Sequence, residues 1–293
     1  MHQKIATVAL VLVPFLVVTP GCFESRGTAP ILDEAPDADG LEGLRGPFGV
    51  ERAYLSRAGV DVEVTLPVGE GAHQTPVIVV QGGGVVKERY RWLTEHLTTR
   101  GFTVLNTQHV FDFAIFDVDA SLRALEAVKA DPQFAGRIAN VPAVAIGHSL
   151  GGVIAAKIWN QAGPDVIQHL ILLASLPDEA DSFPPNGERI VFSISGTRNG
   201  RTTSQEFFDG SRAFVDAAEV YVVTIEGMNH YQFVSDPTDD ELANDGAATI
   251  DIEVAQQTAL SLIDRLCDDA AGTRDFEVPP DFPWPGGVET FED

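Results

Sequence analysis

Cysteine is nearly absent. Cys22 and Cys267 are the only two in 293 residues, too few for a disulfide-dense scaffold, so the fold has to rest on an apolar core. Positive charge is scarce as well: 19 Lys and Arg stand against 43 Asp and Glu, a formal net charge of −24. Nucleic acid is therefore not expected as a partner, because phosphate contacts need clustered Lys and Arg, and adsorption to an anionic lipid surface is disfavoured. No internal repeat and no long biased run occurs. The Gly82-Gly83-Gly84 triplet is followed by no Gly-Lys-Ser/Thr and belongs to no full dinucleotide fingerprint, which argues against a phosphate cradle. Asp236 to Asp245 is acid-rich but does not fit the spacing of a calcium loop. No cofactor and no metal are expected.

What is present starts with an export signal. Lys4 gives a short positive region, Ile5 to Val18 an apolar one, and Thr19-Pro20-Gly21-Cys22 a small-residue exit. The apolar run is too short to span a bilayer comfortably. A cysteine preceded by Gly at that position resembles the lipobox of bacterial lipoproteins, in which Cys22 becomes the lipidated first residue. The alternatives are plain secretion, or a Cys22–Cys267 bridge that excludes the lipid. Residues 23–46, rich in Asp, Glu, Gly and Pro without apolar periodicity, read as a flexible acidic linker. Residues 47–268 form the domain, and 269–293, with Pro279, Pro280, Pro283 and Pro285, an acidic tail.

Within the domain, Val60 to Leu66 alternates apolar and polar residues, which predicts a strand with one buried and one wet face, paired with Val50 to Leu55 as an antiparallel hairpin. The pattern then changes. Val77-Ile78-Val79-Val80 is a continuous β-branched run, expected of a parallel strand covered on both faces. Val86, Tyr90, Leu93 and Leu97 recur at helical spacing until Gly101. Further strands are predicted at 102–105, 143–146, 170–173, 190–194 and 220–225, with a helix carrying Val118, Leu122, Leu125 and Val128 and a last helix over about 250–266. Strands alternating with helices predict an α/β fold, a mostly parallel twisted sheet with helices on both faces.

The centre of this pattern is Gly147-His148-Ser149-Leu150-Gly151, between an apolar strand and the helical run Val153 to Ala156. Gly-x-Ser-x-Gly between strand and helix is a nucleophile elbow, a turn tight enough to strain the Ser backbone and present its hydroxyl above the sheet. Ser149 is thus the candidate nucleophile. The Leu150 N–H, at the start of the helix, is expected to face a developing oxyanion. The glycine-rich loop after Val80 supplies the second donor, assigned to Gly83 with Gly82 as the alternative.

Taken in order, Gln81 to Tyr90, Gly147 to Ala156, Gly196-Thr197-Arg198-Asn199-Gly200 and Glu226-Gly227-Met228-Asn229-His230 resemble the α/β-hydrolase superfamily over residues 48–268, and in particular its compact bacterial esterase-like members, the dienelactone hydrolases and platelet-activating-factor acetylhydrolase-like enzymes. That resemblance implies His230 as the base, in the loop after the last strand. His148 is expected to face away from the nucleophile and His169 to lie at the far end of the sheet. The usual acid position, however, holds Asn199, which lacks a full negative charge. Either Asn199 orients the imidazole as an amide, or the acid has moved to Asp178 or Glu179 after the preceding strand, or the enzyme is impaired unless Asn199-Gly200 deamidates. The connection from Ser175 to Glu188 is too short for a large cap, which predicts an open site for esters of small or medium acyl chains, small molecules hydrolysed without a cofactor. The competing reading is a non-catalytic binding protein on a hydrolase scaffold. Nothing in the sequence fixes an oligomeric state.

Overall fold

The structure, a computed structural model, describes residues 45–185, 189–274 and 288–290. The export signal with Cys22, almost all of the expected linker and most of the expected tail lie outside the described residues.

The chain builds one nine-stranded sheet in the order β1-β2-β4-β3-β5-β6-β7-β8-β9. β1 (Gly49–Arg57) and β2 (Val60–Val68) form the antiparallel hairpin, and β2 is also antiparallel to β4 (Thr103–Gln108). From β4 through β3 (Pro76–Val80), β5 (Ala143–His148), β6 (Ile167–Leu173), β7 (Ile190–Gly196) and β8 (Glu219–Ile225) the pairing is parallel. Parallel neighbours require crossovers; four of them carry helices, α1 (Arg91–Thr99), α2 (Ala120–Ala130), α3 (Leu150–Ala162) and α4 (Ser204–Ser211), while the β6-to-β7 connection carries none among the described residues. The short α5 (Asp239–Ala243) and the long α6 (Ile252–Ala270) follow β8.

The β-branched runs explain the two layers. In β3, Val77 and Val79 enter one core with residues of α1 and α6, while Ile78 and Val80 enter the other with residues of α2, α3 and α4. β7 divides in the same way, with Phe192 and Ile194 on the first side and Val191 on the second. Both faces of the strand are dry, as a sheet with helices on each side requires. Burial of each such aliphatic side chain is worth about 1.5–3 kcal/mol.

Three local expectations are revised. The outer face of β2 is not wet: Glu63 and Thr65 are buried, and Lys87 Nζ donates to Glu63 at 2.8 Å, so the charge is paired beneath the chain that covers it. The helical run from Val86 begins as a 3-10 turn, Lys87–Tyr90, before α1. The last helix continues to Ala270 because its final turn still packs on the core. In the tail region, Val288–Thr290 forms β9, antiparallel to β8, and so closes an edge that would leave β8 groups unpaired.

Candidate active site

All the strands from β4 to β8 run in one direction, so the loops that follow β3, β5, β7 and β8 gather at one edge of the sheet. Ser149 stands there, between β5 and α3. Its φ of 52° and ψ of −128° lie in a region that L-residues rarely adopt, at a cost of about 1–3 kcal/mol that the surroundings must impose. They do so from several sides. The Ser149 N–H donates to Leu173 O at 2.9 Å, and its carbonyl accepts from Ser175 Oγ at 2.6 Å and from Gly152 N–H at 2.9 Å. A side chain at Gly147 would meet the Gly151 carbonyl, and one at Gly151 would meet the carbonyls of Val80 and Gln81. The elbow is thus wedged between its own helix and the end of β3. The Ser149 side chain is partly exposed, and among the described residues its hydroxyl makes no hydrogen bond.

In the loop after β3, the backbone N–H groups of Gly82 to Val85 are engaged except that of Gly83, and the buried Gln81 side-chain amide is also without a partner among the described residues. Gly82 N–H is spent on Tyr90 Oη at 2.8 Å, Gly84 N–H on Asp112 O at 2.9 Å and Val85 N–H on Gly82 O at 3.1 Å. Gly83 N–H and Leu150 N–H have no partner among the described residues. The two residues adjoin through their side-chain space: a side chain on Gly83 would come within 3.0 Å of a Leu150 methyl. Two unengaged N–H groups beside a free hydroxyl have the composition of an oxyanion site.

His230 follows β8 and is 4 % exposed. Its Nδ1 is enclosed without a hydrogen-bond partner, whereas Nε2 is not enclosed. Burial, followed by a raising effect from Asp245 and a lowering one from Arg201, brings its pKa down to about 4, so the ring is neutral and basic in form at neutral pH. His148 lies beside it with ring centroids 4.9 Å apart. The His148 ring is directed toward Tyr90, His230 and Phe233. Its Nδ1 is 2.8 Å from Tyr90 Oη and its Nε2 is 3.2 Å from His230 O. Since only a ring N–H can bond a carbonyl, Nε2 carries the proton and Nδ1 accepts from the tyrosine hydroxyl. Burial holds the His148 pKa well below its usual value, and the neighbouring His230 adds to that. This role of Tyr90 and His148 is not visible in the sequence. Helical spacing marks Tyr90 as an apolar core residue, and nothing in the pattern shows where its hydroxyl goes.

Neither expected orienter reaches His230. Asn199 Oδ1 accepts from the N–H groups of Arg201 at 2.9 Å and Thr202 at 3.2 Å, and its Nδ2 donates to Ser195 Oγ at 3.1 Å, so the amide is spent on its own turn. Asp178 is paired with Lys157 at 3.1 Å and accepts from Ala180 N–H, with nearly half of its side chain exposed. Glu179 lies beside it on an exposed stretch. His169 sits within β6, paired with Asp269 at 3.0 Å and accepting from Ile190 N–H, remote from the elbow edge. Cys267 is buried in the core, while Cys22, its alternative bridging partner, lies outside the described residues.

A strained Ser at a strand-to-helix turn, a His after the last parallel strand and a strand order of this kind define the hydrolases of the doubly wound α/β class. A sequence profile described as the Alpha/beta hydrolase family matches residues 76–258, more than half of the chain. The chain belongs to the Alpha/beta hydrolase family, and hydrolase activity is what this membership indicates. No curated protein matches it.

Proposed function

We propose that the chain is a serine hydrolase that cleaves carboxylic esters through an acyl-enzyme. The observation that carries this reading is the free hydroxyl of Ser149, held in a strained elbow beside two uncommitted N–H groups. Ser149 Oγ attacks the ester carbonyl while His230 Nε2 takes its proton. Gly83 and Leu150 N–H hold the oxyanion, His230 returns the proton to the leaving alcohol, and water repeats the sequence on the acyl group. The site is open, with no helix between β6 and β7 among the described residues. Its rim is apolar: Val110, Phe111, Ile115 and Phe116 are exposed on the loop whose Asp112 carbonyl and Phe113 ring pack on Gly84 and Gly83. This favours small to medium apolar acyl chains and a kinship with the compact esterases.

A second reading, a hydrolase scaffold kept for binding, is favoured by the enclosed His230 Nδ1, which has no carboxylate in contact. Hydrolysis of p-nitrophenyl esters of graded acyl length separates the two. The esterase reading expects turnover that falls about 1,000-fold or more in Ser149→Ala. Equal rates in both proteins, or none in either, support the scaffold reading. We also propose that the chain is exported, to the cell envelope as a Cys22 lipoprotein or into the medium, on the strength of its first 22 residues.

A further inference from the structure

The position that should carry a triad acid holds Asn199, and its oxygen is turned into a local turn, yet a carboxylate lies close by from an unexpected direction. Asp245 follows α5. Its Oδ1 accepts from Gly200 N–H at 2.7 Å and from Gly246 N–H at 2.8 Å, and its Oδ2 accepts from Tyr231 N–H at 3.0 Å. Gly200 is the residue after Asn199 and Tyr231 the residue after His230, so one carboxylate ties the acid loop to the base loop. The approach is close by construction. Asn229 Nδ2 donates to Gly246 O at 2.9 Å, and a side chain at Gly246 would collide with the Arg198 carbonyl.

We propose that Asp245 is the positioning carboxylate of this site, fixing the His230 loop against the Asn199 loop and supplying the negative charge that Asn199 lacks when His230 becomes a cation. The inference rests on the reading of His230 as the base. When the Ser149 proton moves to Nε2, the imidazolium needs a compensating charge in a dry environment, and an amide cannot give one. The charged and titratable groups around His230 are few. Asp245 favours its protonated form, Arg201 opposes it, and the rings of His148 and Tyr231 lie beside it. Arg89, which acts on His148, is bound to Glu241. Asp245 touches the base only through the backbone of the next residue, so it acts on His230 through the loop and through its field.

The test uses the full chain. Asp245→Asn keeps the size and one acceptor oxygen but removes the charge. Its kcat is expected to fall about 10- to 100-fold with KM within about twofold, and the acid limb of kcat/KM to move to lower pH, because the neutral ring becomes harder to protonate. Arg201→Gln is expected to move the same limb upward. Asp245→Glu, which keeps the charge, retains the wild-type limb. An Asp245→Asn protein within twofold of wild type with an unmoved limb overturns the proposal. So does an Asp245→Glu limb displaced as far as that of Asp245→Asn, since the residue would then serve loop architecture alone. Should Asp245→Asn not fold, the Arg201→Gln and Asp245→Glu limbs decide alone. A His230→Gln variant as active as wild type overturns the base reading itself, a result distinct from either.

Discussion

The Tyr90 hydroxyl sits 2.8 Å from His148 Nδ1 and receives the Gly82 N–H at 2.8 Å, while the opposite ring nitrogen of His148 reaches the His230 carbonyl at 3.2 Å. One buried chain of hydrogen bonds therefore joins the oxyanion loop, the elbow and the histidine loop. It fixes three separately encoded loops relative to one another, which is what precise placement of catalytic groups demands.

Tyr90→Phe cuts this chain. It leaves the Gly82 N–H and His148 Nδ1 buried and unmatched, and is expected to lower stability by about 1–3 kcal/mol. It also frees Gly82 to compete with Gly83, so kcat should fall by about tenfold or more if a misplaced donor loosens the oxyanion site. Chemical denaturation and ester turnover measure the two effects separately. Unchanged values in both would mean that the network positions nothing.

Activity should survive into unusually acidic solution. A catalytic base must be neutral to accept a proton, and burial lowers the His230 pKa to about 4. The ring is then neutral above that value and progressively charged below it. The acid limb of kcat/KM for the free enzyme is expected near about pH 4, not near the ordinary histidine range of about 6.5. A pH–rate profile on a neutral ester checks this, and a limb close to pH 6.5 contradicts it.

Stability should show a related dependence. His109 and His230 are brought down to about 4 and His148 well below its usual value, each chiefly by burial. Between about pH 6.5 and about pH 4 the unfolded chain binds protons at these positions and the folded chain does not, so unfolding free energy rises with pH across that window. Each histidine contributes about 1.4 kcal/mol per pH unit there. Glu241, held at about 2 chiefly by hydrogen bonds from Arg89, adds a further loss below about pH 4.5. Melting temperatures that fall from neutral pH to about pH 5 are expected; a flat profile would contradict the buried neutral state.

The two layers and the elbow were legible because they depend on local chemistry. Val77 to Val80 must be dry on both faces, and Gly147 and Gly151 stand where any side chain would strike backbone. The wet face expected for β2 was not, because Lys87, distant in sequence, arrives to neutralise Glu63. The proposed positioning carboxylate was illegible for a similar reason. Asn199 occupies the right position in the chain, but its amide closes a turn. Asp245 belongs to a run of acids that reads as solvated loop, and only the tertiary fold brings it to Gly200 and Tyr231.

The apolar rim makes a prediction about substrate. Phe111 and Phe116 are 81 % and 66 % exposed. Replacing both by Ser should raise KM for the longest accepted acyl chain by roughly tenfold, the order expected from losing partial burial of two rings, and leave acetyl esters unaffected. Equal effects on all chain lengths would place the acyl chain elsewhere.

The most direct measurement is reaction of the full chain with a fluorophosphonate, followed by peptide mass spectrometry. The account predicts one covalent adduct per chain on Ser149, absent in Ser149→Ala and formed far more slowly in His230→Gln. Folded protein that takes up no probe, or takes it up equally well without His230, would contradict it.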